Sequence, residues 1–120
     1  METTNAIDST AAIAALGALA QEHRLALFRL LVQAGPDGMA AGAIAEALGI
    51  PPSSLSFHLA QLRRAGLVDQ ERRHRSLVYR ADYAAMNALV AFLTENCCGG
   101  ASCAPAAELS DTPRKQRKSA

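Results

Sequence analysis

Cys97, Cys98 and Cys103 are the only cysteines in the chain, and they fall within seven residues of one another. Thiolates are soft ligands and prefer soft, thiophilic ions. Three of them on a Gly-containing segment can converge on one side of an atom with a lone pair, the pyramid that trivalent arsenic or antimony adopts. Zinc would need a fourth ligand to complete a tetrahedron, and no His lies near in sequence. Another soft metal, cadmium or lead, is a second reading of the same trio. A third is a thiol redox switch, because exposed vicinal thiols oxidise. Adjacent Cys97 and Cys98 would strain a rigid helix, but Gly99 and Gly100 supply backbone freedom directly after them. An odd number of cysteines, behind an N-terminus with no basic residue before its apolar segment, argues against a disulfide framework and a secretory signal.

A second group of residues suits a polyanion. Ser53, Ser54, Ser56, His58, Gln61 and Arg64 precede a basic stretch holding Arg72, Arg73 and Arg75. Short hydroxyls can donate to phosphates or base edges, and Gln61 can pair with adenine. Arginines reach backbone phosphate or the minor groove. The formal net charge of +1 conceals this division: residues 53–80 carry six Arg against Asp69 and Glu71, whereas residues 1–52 carry two Arg against five acids. Residues 81–111 hold four acids and no base, and residues 112–120 hold four basic residues. One basic block between acidic ones suggests a single face that meets a polyanion.

The elements that would position these residues follow from periodicity. Residues 1–8 read as a flexible N-terminus. A helix from Ser9 to Ala20 carries Ile13, Leu16 and Ala20 at helical spacing, with Asp8 or Ser9 as its N-cap. A stronger, more buried helix runs from Glu22 to Ala34 and stops at Gly35-Pro36-Asp37-Gly38. A short third helix, Ala40–Leu48, ends at Gly49. The fourth runs from Pro52 to about Ala65, with Leu55, Leu59 and Leu62 inward. At 100° per residue, Ser53, Ser54, Phe57, Gln61 and Arg64 then point away from that face, with Ser56 and His58 on its flanks. Leu67–Arg73 and Ser76–Ala81 read as strands joined at His74-Arg75, and Asp82 can cap a fifth helix to about Asn96. The expected fold is mainly α with a small β-hairpin, a winged helix-turn-helix of order α-α-α-α-β-β-α. The expected domain occupies residues 9–96, a thiol segment residues 97–103, and a basic, unstructured tail residues 104–120. With 120 residues, half of them apolar, the chain can bury one core. No stretch reads as a transmembrane helix, and the expected compartment is the cytoplasm. The absence of GxGxxG, P-loop and GxSxG runs weighs against a nucleotide-dependent enzyme or a serine hydrolase. A small thiol enzyme or metalloid carrier is the reading from another class, but it lacks a C-x-x-C and a base beside the thiols.

The chain resembles the ArsR/SmtB family of metalloregulatory repressors over about residues 10–95. The match runs through Leu19-Ala20, Arg24-Leu25, Ile44-Ala45-Glu46-Ala47-Leu48-Gly49 and Ser53-Ser54-Leu55-Ser56-Phe57-His58-Leu59. It closes with Leu62-Arg63-Arg64-Ala65-Gly66-Leu67-Val68, Arg72-Arg73 and Tyr79. The resemblance implies a homodimer on a palindromic operator of double-stranded DNA, with DNA affinity lowered by a soft metal or metalloid. It places Ser54, Ser56, His58 and Gln61 at the DNA-facing positions and makes arsenite or antimonite the implied inducer, since some arsenic repressors of the family carry a Cys-Cys…Cys site just after the last helix. The family's third-helix arsenic motif, Cys-x-Cys-Asp, is absent from Met39–Ala43, and its zinc site fails for want of a His between Asp82 and Asn96. Two departures stand out. Pro51 replaces the usual capping Ser, and Arg73-His74-Arg75-Ser76 replaces a wing turn with Gly. The apolar stripes of the first and fifth helices have no obvious partner in so small a domain, so Leu16, Met86, Leu89 and Leu93 are the expected dimer contacts.

Overall fold

Helix ends are set by identifiable groups in the computed structural model, which describes residues 7–100. Helix α1 (Ser9–Leu19) is capped by Asp8, whose carboxylate accepts from the Ala11 amide at 2.9 Å. Helix α2 (Glu22–Ala34) starts at Gln21, whose side-chain oxygen accepts from the Arg24 amide at 2.9 Å. Gly35, at φ 90°, ends it. Strand β1 (Met39–Ala40) follows, then α3 (Ala41–Leu48), closed by Gly49 in the left-handed conformation. Helix α4 (Pro52–Arg64) has Pro51 at its N-cap and therefore no side-chain cap bond, as the sequence implied. Strands β2 (Val68–Arg73) and β3 (Ser76–Ala81) form the hairpin, and α5 (Tyr83–Leu93) is capped by Asp82, which accepts from the Ala85 amide at 3.0 Å.

The core gathers Leu27 and Leu31 from α2, Ile44 from α3, Leu55, Leu59 and Leu62 from α4, and Leu67, with Tyr79 and Leu89 closing its edges. The i, i+4, i+7 spacing of the α4 leucines places all three on one stripe, and all three are buried. Burial of each leucine contributes about 1.5–3 kcal/mol against solvent exposure, which fixes the rotation of α4 and hence what its opposite face displays.

Three expectations need correction. The sheet has three strands in the order β1-β3-β2, not two, because Met39 and Ala40 pair antiparallel with Tyr79 and Val78. Helix α5 ends at Leu93 rather than Asn96. Thr94 turns its hydroxyl back onto the Val90 carbonyl at 2.8 Å, and Asn96 at φ 57° cannot continue a right-handed helix. Helix α1 buries Ala12 and Ala15 and leaves Ile13 and Leu16 outward, on the apolar stripe that the sequence reading left without a partner in the domain. Alanines on the inner face permit a close approach that the larger side chains would prevent. Leu89, expected at a dimer contact, is 7% exposed and already sits in the core of the protomer.

Candidate nucleic-acid interface and the thiol turn

The outer face of α4 is built by default: once Leu55, Leu59 and Leu62 are inside, Ser53, Ser56, Phe57 and Arg64 lie exposed, with Ser54 and Gln61 half-buried at the margins. His58 is placed differently from expectation. Its ring is half-buried and turned toward the start of α2, where it stacks on His23 with centroids 5.6 Å apart and planes 24° from parallel. Its Nδ1 lies 3.3 Å from Arg24 Nη1. Arginine has only donors, so Nδ1 accepts there. Desolvation, then the Arg24 charge, then His23 hold the His58 pKa below the ordinary imidazole value. Arg24 also donates through Nε to the Ala18 carbonyl at 2.6 Å. One side chain thus satisfies a carbonyl at the end of α1 and holds the ring on α4. Nothing in the sequence spacing announced this contact across 34 residues.

The wing is a regular ladder from Val68↔Ala81 to Arg73↔Ser76, leaving His74 and Arg75 as the turn. His74 occupies the left-handed region at φ 58°, the conformation a Gly would have taken there. The wing arginines are not equivalent. Glu71 accepts from Arg80 at 2.6 Å and from Arg73 at 3.2 Å, and these hydrogen bonds hold its carboxyl below the usual carboxylate range. Arg72 and Arg75 are exposed and make no ion pair among the described residues. The division was readable in principle. Residues 71 and 73 share a strand face, and Arg80 lies diagonally from Glu71, whose direct partner is Val78.

After α5 the backbone reverses. Asn96, Cys98 and Gly99 all take positive φ, at 57°, 57° and 67°, so Cys97–Gly100 is a short, kinked turn with left-handed residues at its centre. Cys97 is half-buried, its amide donating to the Thr94 carbonyl at 3.0 Å, and Cys98 is exposed. Cys103 lies outside the described residues, and among the described residues no three potential ligands form a metal cluster. Beside this turn, Val90 and Leu93 on α5 are 53% and 56% exposed, and Leu16 on neighbouring α1 is 42% exposed. Met86 is half-buried against the core.

A helix pair presenting a polar outer face, backed by a basic antiparallel hairpin, defines a winged helix-turn-helix of the DNA-binding class. The helix-turn-helix domain family model matches residues 19–71. The chain is 33% identical to the HTH-type transcriptional regulator YgaV of Escherichia coli over 79 residues, 66% of this chain and 80% of that protein. It is 30% identical to the transcriptional activator HlyU of Vibrio cholerae over 91 residues, 76% of this chain and 82% of that one. Among solved structures it resembles the homodimeric winged helix-turn-helix DNA-binding domain Mb0332 of Mycobacterium bovis, a possible ArsR-family regulator. That match has 29% identity and a TM-score of 0.55, and covers 82% of this chain and 96% of that one. The chain belongs to the ArsR/SmtB family of winged helix-turn-helix regulators. It is a DNA-binding transcription regulator and not an enzyme. No helix among the described residues is long and apolar enough to cross a membrane.

Proposed function

We propose that this regulator is an arsenic(III)- or antimony(III)-responsive repressor that holds a palindromic operator as a homodimer and releases it when Cys97, Cys98 and Cys103 bind the metalloid. The observation that carries the proposal is the position of the thiol turn. Only Thr94, Glu95 and Asn96 separate Cys97 and Cys98 from α5, whose Val90 and Leu93 stand exposed, and both cysteines belong to a turn rather than to the helix. The donor set suits the inducer: soft sulfurs, with Cys98 open to solvent, and a third thiol within reach along the chain. Arsenous acid condenses with three thiols, forming three As–S bonds and losing its three hydroxyls as water with the thiol protons.

Ser53, Ser54, Ser56, Gln61 and Arg64 face the major groove, and Arg72, Arg75 and, less freely, Arg73 reach phosphate. His58 then acts mainly as the strut that sets α4 against α2. Leu16, Val90 and Leu93 bury against a second copy, which fixes the separation of the two recognition helices. Drawing three thiols together at the end of α5 reorganises that interface and shifts the separation. By linkage, operator DNA must weaken arsenite binding by the same factor, typically about 5–150-fold.

Operator binding by fluorescence anisotropy, with and without arsenite, tests the proposal on wild type and on Cys97→Ser, Cys98→Ser and Cys103→Ser. Wild type should release; each variant should bind operator and fail to release. Normal release by all three variants would place the inducer site elsewhere. Release by peroxide, reversed by a dithiol and indifferent to arsenite, would make the turn a redox switch instead.

A further inference from the structure

One residue on the outer face of α4 does not fit a surface made of hydrogen-bonding groups. Phe57 is 58% exposed, on the side of the helix opposite Leu55, Leu59 and Leu62. Ser53 stands one turn before it and Gln61 one turn after, so the ring lies in the row that a recognition helix presents to DNA. Its only ring neighbour among the described residues is His58, edge-on with centroids 5.7 Å apart. His58 is itself held by Arg24 and stacked on His23, so the ring of Phe57 leans on an anchored neighbour.

A phenyl ring cannot donate or accept in the groove. Opposite the N7 and O6 of guanine, or the amino groups of adenine and cytosine, it would displace water from polar atoms and return no hydrogen bond. The major-groove edge offers one apolar group, the C5-methyl of thymine. We infer that Phe57 is a specificity-determining residue that selects thymine in each operator half-site by covering its C5-methyl. The inference rests on the DNA-binding role of α4 and is independent of what the thiols bind. It also explains why a solvent-exposed aromatic is tolerated at this place: the ring is exposed only while the operator is absent.

The test uses the full-length protein and a duplex it selects from a randomised pool. Each thymine of the half-site is replaced in turn by deoxyuridine, which removes the methyl and leaves every hydrogen-bonding group in place. Wild type should lose roughly fourfold in affinity for each methyl removed at one position per half-site, the factor expected from burying one methyl-sized group. 5-Methylcytosine, in place of cytosine in a duplex carrying C at that position, should recover part of the loss from the base change. Phe57→Ala should bind the thymine and uracil duplexes equally. Because the ring is outside the core, its thermal melt should match wild type and separate loss of contact from loss of fold. Wild type indifferent to every thymine-to-uracil replacement would overturn the inference, as would a Phe57→Ala variant that keeps the full thymine preference. If no sequence is enriched from the pool, the inference falls together with the sequence-specific operator reading, whereas a selected operator without a methyl effect overturns the inference alone.

Discussion

The wing arginines give the sharpest test of how this protein meets DNA. Arg75 sits in the two-residue turn between Arg73 and Ser76, exposed and without an ion pair among the described residues. Arg73, two residues away, already donates to Glu71 at 3.2 Å. Each phosphate neutralised on B-DNA contributes about 0.9 to the slope of log affinity against log salt. A dimer has two wings, so Arg75→Ala should remove two contacts and flatten the slope by about 1.8. Between about 50 and about 200 mM salt, that difference makes the wild type lose roughly tenfold more affinity than the variant. Arg73→Ala should flatten it less, because Glu71 already offsets part of that charge. Glu71→Gln should steepen it by releasing Arg73 and Arg80 together. Anisotropy titrations of the three variants over a salt series, on the selected operator and on a scrambled duplex, measure all three slopes. An unchanged slope for Arg75→Ala would remove the wing tip from the interface. Equal flattening by Arg73→Ala and Arg75→Ala would show that the Glu71 clamp does not persist on DNA.

Further outcomes follow from single contacts. Leu93→Glu places a charge on the exposed end of α5 and should yield a folded monomer in sedimentation; an unchanged dimer would refute the α1–α5 interface. Because His58 is held below the ordinary value of 6.5, the unfolded chain takes up the proton first as pH falls. Stability should therefore be full above about pH 6.5 and decline below it, and His58→Gln should flatten that part of the melting curve against pH. Gly38 has φ 70°, and a Cβ there would collide with the Tyr79 carbonyl oxygen. Gly38→Ala should cost about 1–3 kcal/mol in urea unfolding, and a neutral result would mean that β1 can shift away from β3 at no cost.

Much of the architecture was legible because its signals are local. Leu55, Leu59 and Leu62 state the inner face of α4 by spacing alone, Asp8 and Asp82 announce two helix starts, and His74-Arg75 marks the hairpin turn. What escaped is non-local or sterically subtle. Strand β1 is two residues long, too short for a period, and exists only because β3 offers it an edge. On α1 an outward Leu16 was expected, but that Ala12 and Ala15 form the inner face was not, since small residues carry little hydrophobic signal and go inside where the helices approach closely. On the outer face of α4, the outward serines, Gln61 and Arg64 could be placed by angle, with Ser54 and Gln61 lying partly covered at the margins. The tether from Arg24 to His58 could not, since its partners are distant in the chain. Cys97 and Cys98 were singled out as chemistry, but the left-handed turn that carries them depends on Asn96 as much as on the glycines.

The middle position of β3 limits how the protein can adjust. Strand β3 is bonded on one side to β2 and on the other to β1, which leads straight into α3. The amide of Asp82, at the end of β3, donates to the Leu67 carbonyl at the foot of β2, at 2.9 Å. The wing is therefore fastened at its root to the segments that bracket the helix pair, and it cannot swing without tearing the sheet. Within one protomer, the angular phase between groove contact and wing contact is set at folding, like two teeth cut on one gear. A sequence that requires another phase must distort its own duplex to comply. If two copies pair through α1 and α5 as proposed, accommodation of altered half-site spacing is left to that joint between protomers.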